Sequence, residues 1–305
     1  MQLTMRPPGA ALLSFAESVG SVGPVAVVGG RTQWDVGGPV SSEAHLVQAP
    51  AGIVELEPAE LVVRCGAGTT VAELDAALAA HGQMSPIDAA QPDATVGGVL
   101  SVGQSGIRRL RYGHVRDLLL EARYVAADGQ LVKAGAPVVK NVTGYDLCRM
   151  LVGSLGTLGL IGEVVLRCRP LPTVREWFSS GTCDPFALRR SLFGASSILW
   201  DGHCTWVLLE GDAAEVRAGR ASLPGAWEPS VAPALPVGRS SMRPGELRSL
   251  PTMSGTGWLA EIGVGTVHGF VGPVPALAAP VLELCRDLKR TYDPLGRLNP
   301  GRLPW

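Results

Sequence analysis

Four separated stretches of this chain leave the backbone bare of side chains where an apolar run ends or a helical pattern begins. No other feature restricts the fold as much. The first is Gly29-Gly30-Arg31-Thr32-Gln33, directly after the β-branched run that ends at Val28. The second is Thr95-Val96-Gly97-Gly98-Val99-Leu100-Ser101, followed by Ser105 and Gly106. The third surrounds Gly144 and runs to Asp146, and the fourth carries Gly153, Gly156 and Gly159 before Ile161. Where Cβ atoms are missing, successive N–H groups can converge on an anion. A Gly-Gly pair in a helical run sacrifices about 1 kcal/mol of propensity per residue, and close approach to a pyrophosphate at a helix start supplies a reason for it. Read singly, each stretch is equally a tight turn or a glycine packing contact.

The intervening pattern is mixed. Short β-branched runs at 25–28, 53–56 and 61–64 predict strands. Thr70 and Glu73 match a capping box, Val71, Leu74 and Leu78 recur at helical spacing, and Gly82 follows, so a helix is predicted over 70–81. Runs at 118–126 and 130–133 flank Asp128-Gly129 and predict a hairpin with a tight primed turn. A short helix over 143–152 and a strand over 160–168 precede Pro170 and Pro172, the best candidate for a domain boundary. Farther on, Asp184, Pro185 and Gly194 bracket one helix, and Asp212 with Glu215 opens another. Strands are predicted at 197–200, 205–209, 257–262 and 266–270, a long loop over 223–251, and a last helix over 276–291.

Composition removes several classes of function. At 305 residues and 46% apolar the chain can bury a substantial core, and with a net charge of −1 and 17% charged residues neither a polyanion nor an anionic membrane surface is the obvious partner. No window reaches the eighteen or so apolar residues that a membrane helix needs, and the apolar run 10–15 is too short for a secretory core. The expected location is therefore the cytoplasm, with any membrane association made through a complex. The six cysteines are widely spaced, with no Cys-x-x-Cys pair of the kind that holds zinc or an iron–sulfur cluster. They read as buried thiols, and no metal site is expected.

Taken in order, Cys65-Gly66-Ala67-Gly68, the Thr95-Val96-Gly97-Gly98 segment, Arg108-Arg109, Tyr112-Gly113, Val115-Arg116-Asp117, the run from Lys140 through Asn141, Thr143 and Tyr145 to Asp146, and the Gly153-Ser154-Leu155-Gly156-Thr157-Leu158-Gly159 run resemble one known fold. It is the FAD-binding domain of the vanillyl-alcohol oxidase and para-cresol methylhydroxylase (PCMH-type) family. Within it the likeness is greatest to the FAD-binding subunits of bacterial glycolate oxidases, and it covers about residues 20–172. The resemblance implies an α+β fold: a two-lobed FAD domain over 1–172, a smaller α+β cap over 173–285, and a return segment over 286–305.

The same resemblance implies a cofactor site. Val28, Gly29, Gly30, Arg31, Thr32 and Gln33 would face Thr95, Val96, Gly97, Gly98 and Ser101 across the pyrophosphate. Ser105 and Gly106 would lie near the flavin or its ribityl chain, and Gly144, Asp146, Gly156, Gly159 and Ile161 around the adenosine half and its approach to the flavin. Asn299 would touch the flavin or serve as a turn residue before proline. Many relatives bind flavin covalently through a histidine in the first glycine loop. Arg31 and Thr32 stand there in this chain, so the FAD is expected to be non-covalent.

The implied function is that of a FAD-binding subunit in the oxidation of a 2-hydroxy acid to a 2-oxo acid, an oxidoreductase with electrons passing through FAD. The implied partners are a larger flavoprotein subunit and an iron–sulfur subunit. Two other readings stay open, a self-sufficient FAD-dependent dehydrogenase or oxidase and a scaffolding subunit with structural or absent FAD. The five histidines, His45, His81, His114, His203 and His268, are scattered. His268 is a weak catalytic candidate, more simply read as a packed strand residue. Glu261 and Arg302 read equally as base and carboxylate anchor or as surface charges.

Overall fold

A computed structural model of the chain describes residues 6–89, 91–136, 146–251, 257–269 and 277–302. The chain divides into two compact units, one of Met1–Gly106, His114–Pro170 and Leu277–Trp305, the other of Ile107–Gly113 and Leu171–Ala276.

The first unit is built on a five-stranded antiparallel sheet in the order Ile53–Glu57, Val62–Gly66, Leu160–Arg167, Leu119–Val125, Leu131–Gly135. On one face Val63, Cys65, Val164 and Leu166 pack with Leu74 and Leu78 of the helix Val71–Ala79 and with Leu100 of the helix Val96–Val102. Apolar burial of this kind drives folding. The other face carries charge. Arg64 Nη1 meets Glu121 at 2.8 Å and Glu163 at 3.2 Å, and Arg123 Nη1 meets Glu163 at 3.2 Å, which is how buried charges persist.

A helix at Ala10–Val19, which the sequence pattern did not announce, buries Leu12, Phe15 and Val19 against Val25, Val125, Leu160 and Leu298. Beside it the strand Val25–Val27 pairs in parallel with His45–Val47, and Leu298 bridges Val25 from the other side, also in parallel. Chain segments far apart in sequence therefore flank the start of the first glycine loop. The closing segment is fastened twice. Arg297 donates to the carbonyls of Val19, Gly20, Val22, Gly23 and Ala127, and the Asp293 carboxylate accepts the N–H groups of Arg297 and Leu298.

The second unit is a seven-stranded antiparallel sheet in the order Glu228–Ser230, Val174–Ser180, Thr205–Gly211, Ser197–Trp200, Leu259–Glu261, Thr266–His268, Arg239–Ser241. Phe178, Ile198, Val207, Leu209, Ala260 and Val267 supply its core, against Leu188 of the helix Pro185–Ser191 and Val216 of the helix Ala213–Ala221.

Local signals translated well where side chains closed the motif. Thr70 and Glu73 form the reciprocal cap of Val71–Ala79, and Asp212 and Glu215 do the same for Ala213–Ala221. Four expectations need correction. The 128–129 turn is not primed: Gly129 has φ 83 but Asp128 does not enter the positive region, and Ala126 N donates to the Gln130 carbonyl across a three-residue loop. The helix expected from 143 is Leu147–Leu151 in its described part, with Asp146 as its cap. The helix after Asp184 ends at Ser191, short of Gly194. The stretch 223–251 is not all loop, because Glu228–Ser230 and Arg239–Ser241 add edge strands to the sheet and Glu246–Ser249 forms a 3-10 turn. Edge pairing is a tertiary event that a Pro- and Gly-rich composition conceals.

Candidate functional site

The parallel ladder ends when Val28 N donates to the Val47 carbonyl at 2.9 Å. Beyond it the chain makes a loop whose N–H groups are left over. Among the described residues, those of Gly29, Gly30, Arg31, Thr32 and Gln33 meet no acceptor in the protein. All five residues line a cleft, open to solvent, within the first unit. Unpaired backbone donors in series form an anion site. The loop is shaped by close packing. A Cβ on Gly30 would collide with the Asp93 carbonyl, and one on Gly29 with the Thr95 hydroxyl. Arg31 takes φ 55, a left-handed conformation uncommon for a residue with a side chain.

Thr95, Gly97, Gly98 and Ser101 form the facing wall. Their contribution is surface rather than backbone donors: Gly97 N donates to the Ala67 carbonyl at 2.7 Å and Gly98 N to Thr95 Oγ1 at 3.2 Å. Gly156, Ile161 and Asn299 close a third side. Asn299 is both a turn residue, at φ 43, and a wall residue. Its Oδ1 accepts from Val27 N at 3.1 Å and its Nδ2 donates to the Leu155 carbonyl at 2.6 Å.

Other candidates lie elsewhere. Val96 is fully buried in the core, and its N–H goes to Thr69 O. Ser105 Oγ accepts from Val115 N at 2.9 Å, and Gly106 backs onto Asp88. Gly159 packs on the Tyr124 ring, where any Cβ would clash. Asp146 caps its helix through Arg149 N at 3.2 Å and pairs with the Arg149 guanidinium at 3.0 Å. Gly144 falls outside the described residues. The sequence reading passed over two wall residues with polar or aromatic chemistry, Trp34 and, as a wall residue, Arg302. Arg302 Cζ lies 4.8 Å and Arg31 Cζ 5.4 Å from the Trp34 ring centroid. An arginine beside an aromatic at the end of a glycine loop was the available signal.

In the second unit His268 Nε2 and Glu261 Oε1 are 2.8 Å apart and both residues are buried. The second Glu261 oxygen, Oε2, has no hydrogen-bond partner. Burial pushes the thiols of Cys65 and Cys168 up to about 12 and that of Cys148 up to about 11, so these are inert apolar side chains. Among the described residues no cluster of histidine, cysteine and carboxylate side chains could hold a metal ion, and no helix is long and apolar enough to cross a membrane.

Comparison with known proteins agrees with this geometry. Residues 12–135 match the model of a family described as an FAD binding domain. The glycolate oxidase subunit GlcE of Escherichia coli is 30% identical, over 92% of this chain and 92% of that one. The D-lactate dehydrogenase of Archaeoglobus fulgidus is 38% identical over 52% of this chain, which is 36% of that protein. Among solved structures, an alkyldihydroxyacetonephosphate synthase superposes with a TM-score of 0.71 at 16% identity, covering 95% of this chain and 74% of the other. Fold and cleft thus define the class, a flavoprotein of the FAD-dependent oxidoreductases with a PCMH-type binding domain. Within that class the chain belongs to the family of glycolate oxidase subunit GlcE.

The cleft fits FAD on its own terms. Five leftover N–H donors and the two guanidiniums suit a diphosphate, and apolar wall residues such as Val36, Val40, Leu155 and Leu160 suit an aromatic ring system.

Proposed function

We propose that this chain is the FAD-binding subunit of a glycolate-oxidase-type complex that oxidises a 2-hydroxy acid to the 2-oxo acid. The observation that carries the reading is the likeness to GlcE over 92% of both chains, which includes the second unit as well as the cleft. When bound, FAD supplies the redox chemistry, accepting a hydride from the alcohol carbon. The chain's own part is to bind and orient: residues 29–33 hold the diphosphate, and the walls at Thr95, Gly98, Gly156 and Asn299 fix the cofactor's path. No catalytic base is assigned. His268, whose Nε2 lies 2.8 Å from Glu261 Oε1, stays the weak candidate that the sequence offers.

Onward electron transfer belongs to other chains. The sequence carries no Cys-x-x-Cys pair, so a larger flavoprotein subunit and an iron–sulfur subunit are the proposed partners. Any membrane contact would be made through them. The test is turnover of glycolate and of D-lactate with an artificial acceptor, by the purified chain and by the co-purified complex. The reading expects flavin in both and turnover in the complex alone. Turnover by the lone chain would establish a self-sufficient dehydrogenase, and a chain that binds no flavin would be a scaffold.

A further inference from the structure

Two arginines near the chain's end are almost equally buried and very differently satisfied. Arg297, at 4% exposure, gives its guanidinium to five carbonyls. Arg302, at 8%, has one polar partner for its guanidinium among the described residues, the Val36 carbonyl, together with the face of Trp34. No carboxylate of the described residues lies within ion-pair distance of it, and Asp35, which acts on it at longer range, is exposed. Arg31 approaches the same ring. Two cations share one aromatic, and the buried one has no ion pair among the described residues, an arrangement that an anion entering the cleft would stabilise. Both line the cleft beside the five unpaired N–H groups of residues 29–33.

We infer that Arg302, carried in from the end of the chain and held on Trp34, is the buried counter-charge for the diphosphate of the cofactor, with Arg31 as its exposed companion. This rests on the FAD reading of the cleft and deepens it. It moves Arg302 from a possible anchor for a substrate carboxylate to a residue that binds the cofactor. Cofactor binding should then further steady the 297–302 segment, which Arg297 and Asn299 already fasten to the protein.

The experiment titrates apoprotein with FAD, with ADP, which carries the diphosphate without a flavin, and with riboflavin, which carries the flavin without phosphate. For Arg302→Gln the expected result is an FAD and an ADP dissociation constant each raised about tenfold or more, with riboflavin unchanged and the salt dependence of FAD binding reduced. Arg302→Lys should recover part of the loss. In the unsubstituted chain ADP alone should slow amide exchange in peptides ending at Arg302, a readout that needs no variant. Equal weakening of riboflavin and FAD, or no change in either, would overturn the assignment while leaving the cleft as the FAD site. A wild-type chain that binds neither FAD nor ADP would overturn both.

Discussion

Asn299 Nδ2 donates to the Leu155 carbonyl at 2.6 Å, and the two residues that make this contact both hold left-handed backbone, with φ 43 and φ 53. One comes from the closing segment and the other from the turn before the central strand Leu160–Arg167. Their meeting sets one edge of the cleft. Asparagine tolerates the left-handed region better than most residues, and here it also satisfies Val27 N through Oδ1.

Replacing Asn299 by Ala should therefore destabilise the chain by about 2–3 kcal/mol, combining two lost hydrogen bonds with a backbone conformation alanine resists. Asn299→Gly should lose less, since it relieves the backbone term. Denaturant unfolding of the pair separates the two contributions. Equal stability of both variants with the wild type would contradict this role.

Arg297 gathers five carbonyls, of which the bond to Val19 O is buried and the others are part-buried. Arg297→Met keeps much of the volume but strips these carbonyls of their shared donor, so a loss of about 2–3 kcal/mol is expected. Arg297→Lys should recover only part of it, because three donors on one nitrogen cannot match a planar fork. The measurement is again the unfolding midpoint.

Gly30 is a matter of space rather than of φ. A methyl there enters the Asp93 carbonyl, so Gly30→Ala should displace the loop and abolish flavin binding while far-ultraviolet circular dichroism stays unchanged. Retained FAD affinity in this variant would show that the loop does not carry the diphosphate.

How legible was this in the sequence? Motifs that close on themselves were readable: the Thr70–Glu73 and Asp212–Glu215 boxes, and the bare backbone at Gly29 and Gly30, whose partners lie within a few residues or are simply solvent and ligand. What depended on distant segments was not. The helix Ala10–Val19 exists because Phe15 and Leu12 find Val125 and Leu298, and the edge strand Arg239–Ser241 because it finds Thr266–His268. The same division runs through the site. Gly97 looked like a donor because of its sequence context, yet its N–H is taken by the carbonyl of Ala67, just past the strand Val62–Gly66. Arg302 read equally as a carboxylate anchor or a surface charge because nothing in its neighbours announces the ring of Trp34.

The buried thiols give a pH dependence. Folding raises Cys65 and Cys168 from 9.0 to about 12, so at alkaline pH the unfolded chain releases protons that the folded chain keeps. Their stabilising contribution is intact below pH 9 and should decline as pH rises from 9 toward 12. At pH 8 the thiolate fraction of such a group is about one in ten thousand, so these two should react with a disulfide reagent only as fast as the chain opens. Rapid modification of either in the folded protein would contradict their burial.

The central claim is that the cleft of the first unit holds one dissociable FAD. The direct measurement is the visible spectrum of the chain after reconstitution, followed by acid precipitation. The account predicts one flavin per chain, recovered entirely in the supernatant as FAD. A chain that takes up no flavin, or a precipitate that keeps its yellow colour, would contradict it.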